Sequence, residues 1–165
     1  MRESVGSTWI FSLVLAFTLI FAAFLVLSLT YSKAYKIKNE MTSIIQKYEG
    51  LTNTDALNKK GSITIINQYL ANNNYTAKGT CEENDYAVDD LSSDSVVKVT
   101  DTSQKYFYCI HVDSYTQHSK CRTLFRIKVF YNFNLPVLGD LKQFSITGQT
   151  NEMAKAYING SKLTC

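Results

Sequence analysis

WIFSLVLAFTLIFAAFLVLSLTY, residues Trp9 to Tyr31, is the stretch that decides the architecture. No charged side chain occurs from Ser4 to Ser32, and the hydroxyls in the run, Ser12, Thr18, Ser28 and Thr30, can bond back to a helical carbonyl. At about 1.5 Å per residue such a run crosses a hydrocarbon core of roughly 30 Å as one helix, with Trp9 and Tyr31 at the two interfaces. A cleaved secretory signal is the competing reading. Its apolar core would span roughly 7–15 residues and lead to an A-x-A site; the run here is longer and no such site follows, so a retained span is expected.

From Ala34 the apolar positions run Ala34, Ile37, Met41, Ile44 with Ile45, and Tyr48, while Lys33, Lys36, Lys38, Glu40, Lys47 and Glu49 take the other faces. One helix is therefore expected to leave the lipid and continue into water. No proline or glycine interrupts it before Gly50, a C-cap by position, so a rod of about forty residues and roughly 60 Å is predicted. The chain divides into a leader, 1–8, a transmembrane helix, 9–31, an amphipathic continuation, 32–49, and an extracytoplasmic domain, 50–165.

The roughly 115 residues beyond the rod suit one small core. With a net charge of +3 and no basic patch, nucleic acid is not an expected partner. The 11 tyrosines and 9 phenylalanines crowd with β-branched residues into the second half, which predicts a sheet there. All four cysteines, Cys81, Cys109, Cys121 and Cys165, lie beyond the span. An even count in a small module favours two disulfides and an oxidising, extracytoplasmic side. Lys33, Lys36 and Lys38 after the span, against Arg2 before it, argue the other way by the positive-inside rule. The cysteines carry more weight, since a short tail contributes little charge. The expected topology is a single-pass membrane protein with its N-terminus cytoplasmic and its C-terminal domain extracytoplasmic.

Residues 50–61, rich in Asn, Thr and Asp, read as a loop, and Ser62 to Asn72 as a short helix that Ser62 can cap and Asn72-Asn73-Asn74 stop, with a strand through SITII as the alternative. The acidic run from Cys81 to Asp94 reads as a solvated surface loop, its oxygen spacing unlike an EF-hand. Ser95 to Thr100 and Lys105 to Val112 are expected to form a hairpin. Arg122 to Phe133 alternates, with Phe125, Ile127, Val129, Tyr131 and Phe133 on one face and Arg126 and Lys128 on the other. Pro136 ends that strand, Val137 to Leu141 turn, and Gln143 to Thr150 close the sheet. The last fifteen residues pattern weakly. An antiparallel sheet with one apolar face needs a cover. Ile37, Met41, Ile44 and Tyr48 packed against Phe125, Ile127, Val129 and Tyr131 supply it. The fold class is thus α+β, a long N-terminal helix on a small antiparallel sheet.

Cys109-x-His111 and His118-x-x-Cys121 together have the ligand types of a zinc site. The competing reading is a cross-strand disulfide, since Cys109 and Cys121 are symmetric about Tyr115, and it is preferred outside the cytoplasm. Cys81 would then pair with Cys165, although four cysteines allow three connectivities. No G-x-S-x-G, phosphate loop, HExxH or carboxylate pair is present. No catalytic residue, cofactor or metal is expected, and the chain is not expected to be an enzyme.

Two stretches, GSTWIFSLVLAFTLIFAAFLVLSLTYSKAYKIKNEM and FRIKVFYNFNLPVLGDLKQFSITGQTNEM, cover about two fifths of the chain. Together they resemble type IV pilin-like proteins, and in detail the TadE-like pseudopilins or minor pilins of tight-adherence systems. The resemblance implies a pilin-like fold and a role in assembly, with the membrane, other pilin-like subunits and pilus or secretion assembly proteins as partners. Family members cut by a prepilin peptidase carry glycine at the cut and glutamate five residues beyond. Here Gly6 is followed at that spacing by Phe11, and Glu3 is the nearby acid, so cleavage after Gly6 is not expected. In such an assembly the helix serves first as membrane store and then as association surface, with close packing at Ser12, Ala16, Ala22 and Ala23. The alternative is a monomeric, membrane-tethered extracytoplasmic binding or sensor domain. Asn74-Tyr75-Thr76 and Asn159-Gly160-Ser161 are glycosylation sequons in a eukaryotic secretory host only.

Overall fold

The computed structural model describes residues 2–53, 59–118, 120–135 and 139–165, with side chains described outside 2–7 and 133–142. A single uninterrupted helix, α1, runs Arg2–Lys47, about 70 Å at the rise of an α-helix. Its hydroxyls bond back as their positions require: Ser12, Thr18 and Thr30 donate to the carbonyls of Thr8, Val14 and Val26 at 3.1, 2.8 and 2.9 Å. The apolar window within it is long enough to cross a membrane, and none of that window is buried by the rest of the chain.

The helix ends before Gly50. Tyr48 N–H donates to Ile44 O at 3.0 Å and Glu49 N–H to Gln46 O at 3.3 Å, and Glu49 itself turns the chain at φ 52°. Gly50 is needed for another reason. It opens strand β1, Gly50–Leu51, at φ 132°, and a Cβ there would overlap the Tyr157 carbonyl of the parallel strand Tyr157–Ile158.

Helix α2, Ser62–Asn72, buries Ile63, Ile66 and Leu70. Its N-cap is Gly61, without a side-chain cap. The Ser62 hydroxyl is instead fully buried, donating to Gly50 O at 2.8 Å and accepting from Thr52 N–H at 2.9 Å, so it rivets α2 to β1.

The remaining strands are β2, Gly79–Thr80; β3, Tyr86–Val88; β4, Val97–Lys98; β5, Lys105–Tyr106; β6, Tyr108–Gln117; β7, Lys120–Leu135; β8, Gly139–Gln149; β9, Tyr157–Ile158; and β10, Ser161–Lys162. The main sheet is antiparallel in the order β4-β3-β6-β7-β8. The hairpin expected from Ser95–Thr100 and Lys105–Val112 does not form. Val99 N–H donates to Asp85 O and Asn84 N–H to Val99 O, at 2.8 and 3.1 Å, which draws β4 onto β3, while β5 pairs with β2. The acidic segment is therefore partly core: Asp85, Ala87 and Val88 are buried. Strand β8 begins at Gly139, where a turn through Leu141 was expected, and the final residues contribute β9 and β10.

The core lies between α1, α2 and one face of the sheet. Ile37, Met41 and Ile44 meet Phe125, Ile127 and Val129 in one buried cluster, each large side chain contributing about 1.5–3 kcal/mol. Tyr48 sits at its margin, part-buried, whereas Tyr131, also part-buried, lies outside the cluster and stacks on Phe144 with ring centroids 5.5 Å apart.

Two disulfides close the domain, Cys81–Cys109 and Cys121–Cys165. The pairing of Cys109 with Cys121 and of Cys81 with Cys165 is thereby overturned. The β6–β7 register runs from Tyr108↔Val129 to Gln117↔Lys120, so the hairpin folds after Gln117 and not at Tyr115. Cys109 faces Lys128 and Cys121 faces Thr116, far from each other along the ladder.

Candidate functional site

The largest feature outside the core is the lower half of α1. Trp9, Phe17, Ile20, Phe24 and Leu29 each keep roughly two thirds or more of their surface exposed. Leaving so much aromatic and aliphatic surface in water is unfavourable by about 25 cal/mol per Å2, a cost that a bilayer or neighbouring helices would remove. At about 100° per residue Ser12, Ala16 and Ala23 fall within one narrow arc, and Ala22 lies roughly 100° around from Ala23. That arc continues upward into Ala34, Ile37 and Met41, which are buried against the domain. The small-residue stripe and the domain thus share one side of the rod.

On the outer face of the sheet, four ionisable side chains converge. His111 and Asp113 alternate onto the same face of β6, and the register sets Arg126 of β7 directly opposite His111. Asp85 arrives from the turn before β3, its carboxylate accepting Glu82 N–H at 3.0 Å and lying 2.7 Å from His111 Nδ1. His111 Nε2 is 3.5 Å from Asp113 Oδ1, and Arg126 grips Asp113 with both prongs, at 2.6 and 2.9 Å. The Arg126 guanidinium holds the Asp113 carboxyl below the usual range, and Asp113 raises Arg126 in return. A cavity of about 90 Å3 adjoins the group, with Thr147 as its lining hydroxyl and the Cys81–Cys109 disulfide at its base. The arrangement clasps β3, β6 and β7 together. His111-x-Asp113 is visible in sequence as a same-face pair, but Asp85 and Arg126 join it only through pairings that the sequence does not display.

The zinc set considered from sequence is not assembled. Its two cysteines are bonded to other partners, and Cys121 stands at the hairpin end, opposite Thr116. Cys81, Asp85 and Cys109 do lie close together, but both sulfurs are spent in one disulfide. Along the acidic segment, Asp90 turns its carboxylate onto Ser92, accepting from the amide at 2.9 Å and from the hydroxyl at 2.7 Å, which holds that carboxyl below its ordinary value.

A second concavity, about 360 Å3, opens where α1 leaves its apolar half, between the helix, the turn after α2 and the lower end of β7. Burial pushes the Tyr131 phenol up, and the Tyr31 phenol nearby adds to the effect. Compared with family models, curated proteins and solved structures, the chain gives no match.

Proposed function

We propose that the chain is a membrane-anchored, pilin-like structural subunit, a pseudopilin or minor pilin of a Tad or type IV pilus-like assembly or secretion apparatus. One observation carries the proposal: α1 is continuous, with its upper half built into the core of a small domain and, below it, an apolar window that the rest of the chain does not bury. Such a helix suits both storage in a bilayer and later packing among like helices. Two disulfides favour a domain outside the cytoplasm, which sets the N-terminus inside.

Because the span contains no cysteine and the described cysteines are all disulfide-bonded, a single thiol can report on association. Ala16→Cys and Ala23→Cys are expected to cross-link into dimers in native membranes under mild oxidation, and Ala22→Cys, on another face, to do so much less. Equal absence of dimers at all three positions would favour the monomeric, tethered binding or sensor domain.

A further inference from the structure

The groove at the exit of α1 has a height, a lining and a charge that fit one kind of molecule. It extends along α1 from Thr30 to Ile37, about 10 Å of helical rise. It begins at the last turn of the uncovered apolar run and ends where α1 is first buried by the domain, at Ala34 and Ile37. A bilayer of roughly 40–45 Å with a 30 Å hydrocarbon core leaves about 5–8 Å of headgroup on each side. If Tyr31 marks the interface, the groove lies in that layer and just above it.

Its rim is built for an anion. Lys33 rises from α1, Asn74 and Thr76 from the turn after α2, and Asn132 from β7, and all four are exposed. None of these side chains makes a hydrogen bond or ion pair among the described residues, so their donors are available. Among the described residues, no Asp or Glu lines the groove. Asn74 is held at φ 51°, and the next residue, Tyr75, is buried, which fixes the turn carrying Asn74 and Thr76. Tyr131 forms the floor, its ring stacked on Phe144. Lys36 also emerges at this level, but outside the groove, and Lys38 lies over the Tyr35 ring at 4.2 Å.

The geometry points to a binding site for the phosphate-bearing headgroup of an anionic membrane lipid, held by Lys33, Asn74, Thr76 and Asn132. Lys33 neutralises the phosphate, the amides and the Thr76 hydroxyl supply neutral donors, and the acyl chains run down the apolar face of α1. This inference rests on the membrane-spanning part of the reading above and not on filament assembly.

The test uses the full chain reconstituted in phosphatidylcholine nanodiscs containing a minor share of phosphatidylglycerol, with lipids retained after mild detergent extraction counted by mass spectrometry. The wild type is expected to retain phosphatidylglycerol preferentially. Lys33→Glu should lower that retention by about tenfold and Lys36→Glu by no more than about twofold, because only Lys33 lines the groove. Equal retention of the two lipids by the wild type, or equal effects of the two variants, overturns the site. So does displacement of the lipid by dissolved glycerol phosphate, which would make the occupant a free phosphate. Loss of lipid preference together with loss of Ala16→Cys cross-linking in Lys33→Glu would assign the groove to a neighbouring subunit instead. Resistance of each preparation to alkaline extraction is read in parallel. A chain that stays in the bilayer without lipid preference refutes the groove, whereas a chain that washes out refutes the membrane span.

Discussion

Tyr75 reaches across 55 residues of sequence to complete the backbone bonding of Phe130. Its phenol accepts from Phe130 N–H at 2.9 Å and lies within donating distance of the carbonyls of Phe130 and Phe107, at 2.6 and 3.1 Å. Burial pushes that phenol far above the ordinary tyrosine value, so it stays protonated. Tyr75→Phe leaves a buried amide without its partner, and chemical denaturation should show a loss of about 1–3 kcal/mol. Asp113 gives the domain part of its acid sensitivity. Its carboxyl is depressed in the folded state by Arg126, so the stabilisation is present above the unfolded value near 4 and is lost as pH falls through the folded value. Denaturant midpoints compared at pH 6 and pH 3 should fall less in Asp113→Asn than in the wild type, from a lower starting value. At this scale the sequence was partly legible. Ser62 stood at the right place for the start of α2, but its hydroxyl serves the buried junction with Gly50 and Thr52, because a buried hydroxyl must satisfy the groups that enclose it. Gly50 marked the end of the rod, for a reason that depends on a strand more than a hundred residues later.

Among the elements, α1 and β7 could be read directly, since each has enough residues for its apolar period to stand out, while α2, shorter and opening on SITII, left helix and strand both open and is a helix. The strands β2, β4, β5, β9 and β10 are two residues each, too short for alternation to appear, and their pairings are set by tertiary contacts. Missing β3 inside the acidic run misdirected the partner of β4. The cysteine pairing failed at the same scale: symmetry about Tyr115 assumed a tip that the ladder places after Gln117. The observed disulfides join residues 28 and 44 apart, and by loop-closure entropy each contributes about 3.5–4 kcal/mol. They do different work. Cys81–Cys109 is buried against β6, beside Asp85, while Cys121–Cys165 ties the outer end of β7 to the C-terminal residue. Cys121→Ser with Cys165→Ser is expected to lower the thermal midpoint yet leave a folded domain, whereas Cys81→Ala with Cys109→Ala also opens a core cavity and should cost more, as thermal scans of the two double variants would show.

At the scale of the molecule, a mainly apolar half-helix and an amphipathic half on one axis make a rod that the domain holds by its upper end. This much was visible in the hydropathy, because an unbroken apolar run long enough to cross a membrane and a core-facing stripe of helical period are both long signals. The outer face of the sheet, with Asp85, His111, Asp113 and Arg126 clasped together, and the groove beside Lys33 needed the strand order to be seen. The proposed assembly requires that the domain fold outside the cytoplasm with both disulfides formed while α1 stays in the bilayer. The most direct measurement is labelling of intact cells with a membrane-impermeant maleimide, with and without prior reduction, followed by mass mapping of the cysteines. No labelling is expected before reduction; after it Cys121 and Cys165 should label on intact cells, and Cys81 and Cys109 once the domain is unfolded, with Cys81 mapped to Cys109 and Cys121 to Cys165 in the unreduced protein. Free thiols that react without reduction, and only once the cells are lysed, would place the domain in the cytoplasm and contradict the topology on which the assembly proposal stands.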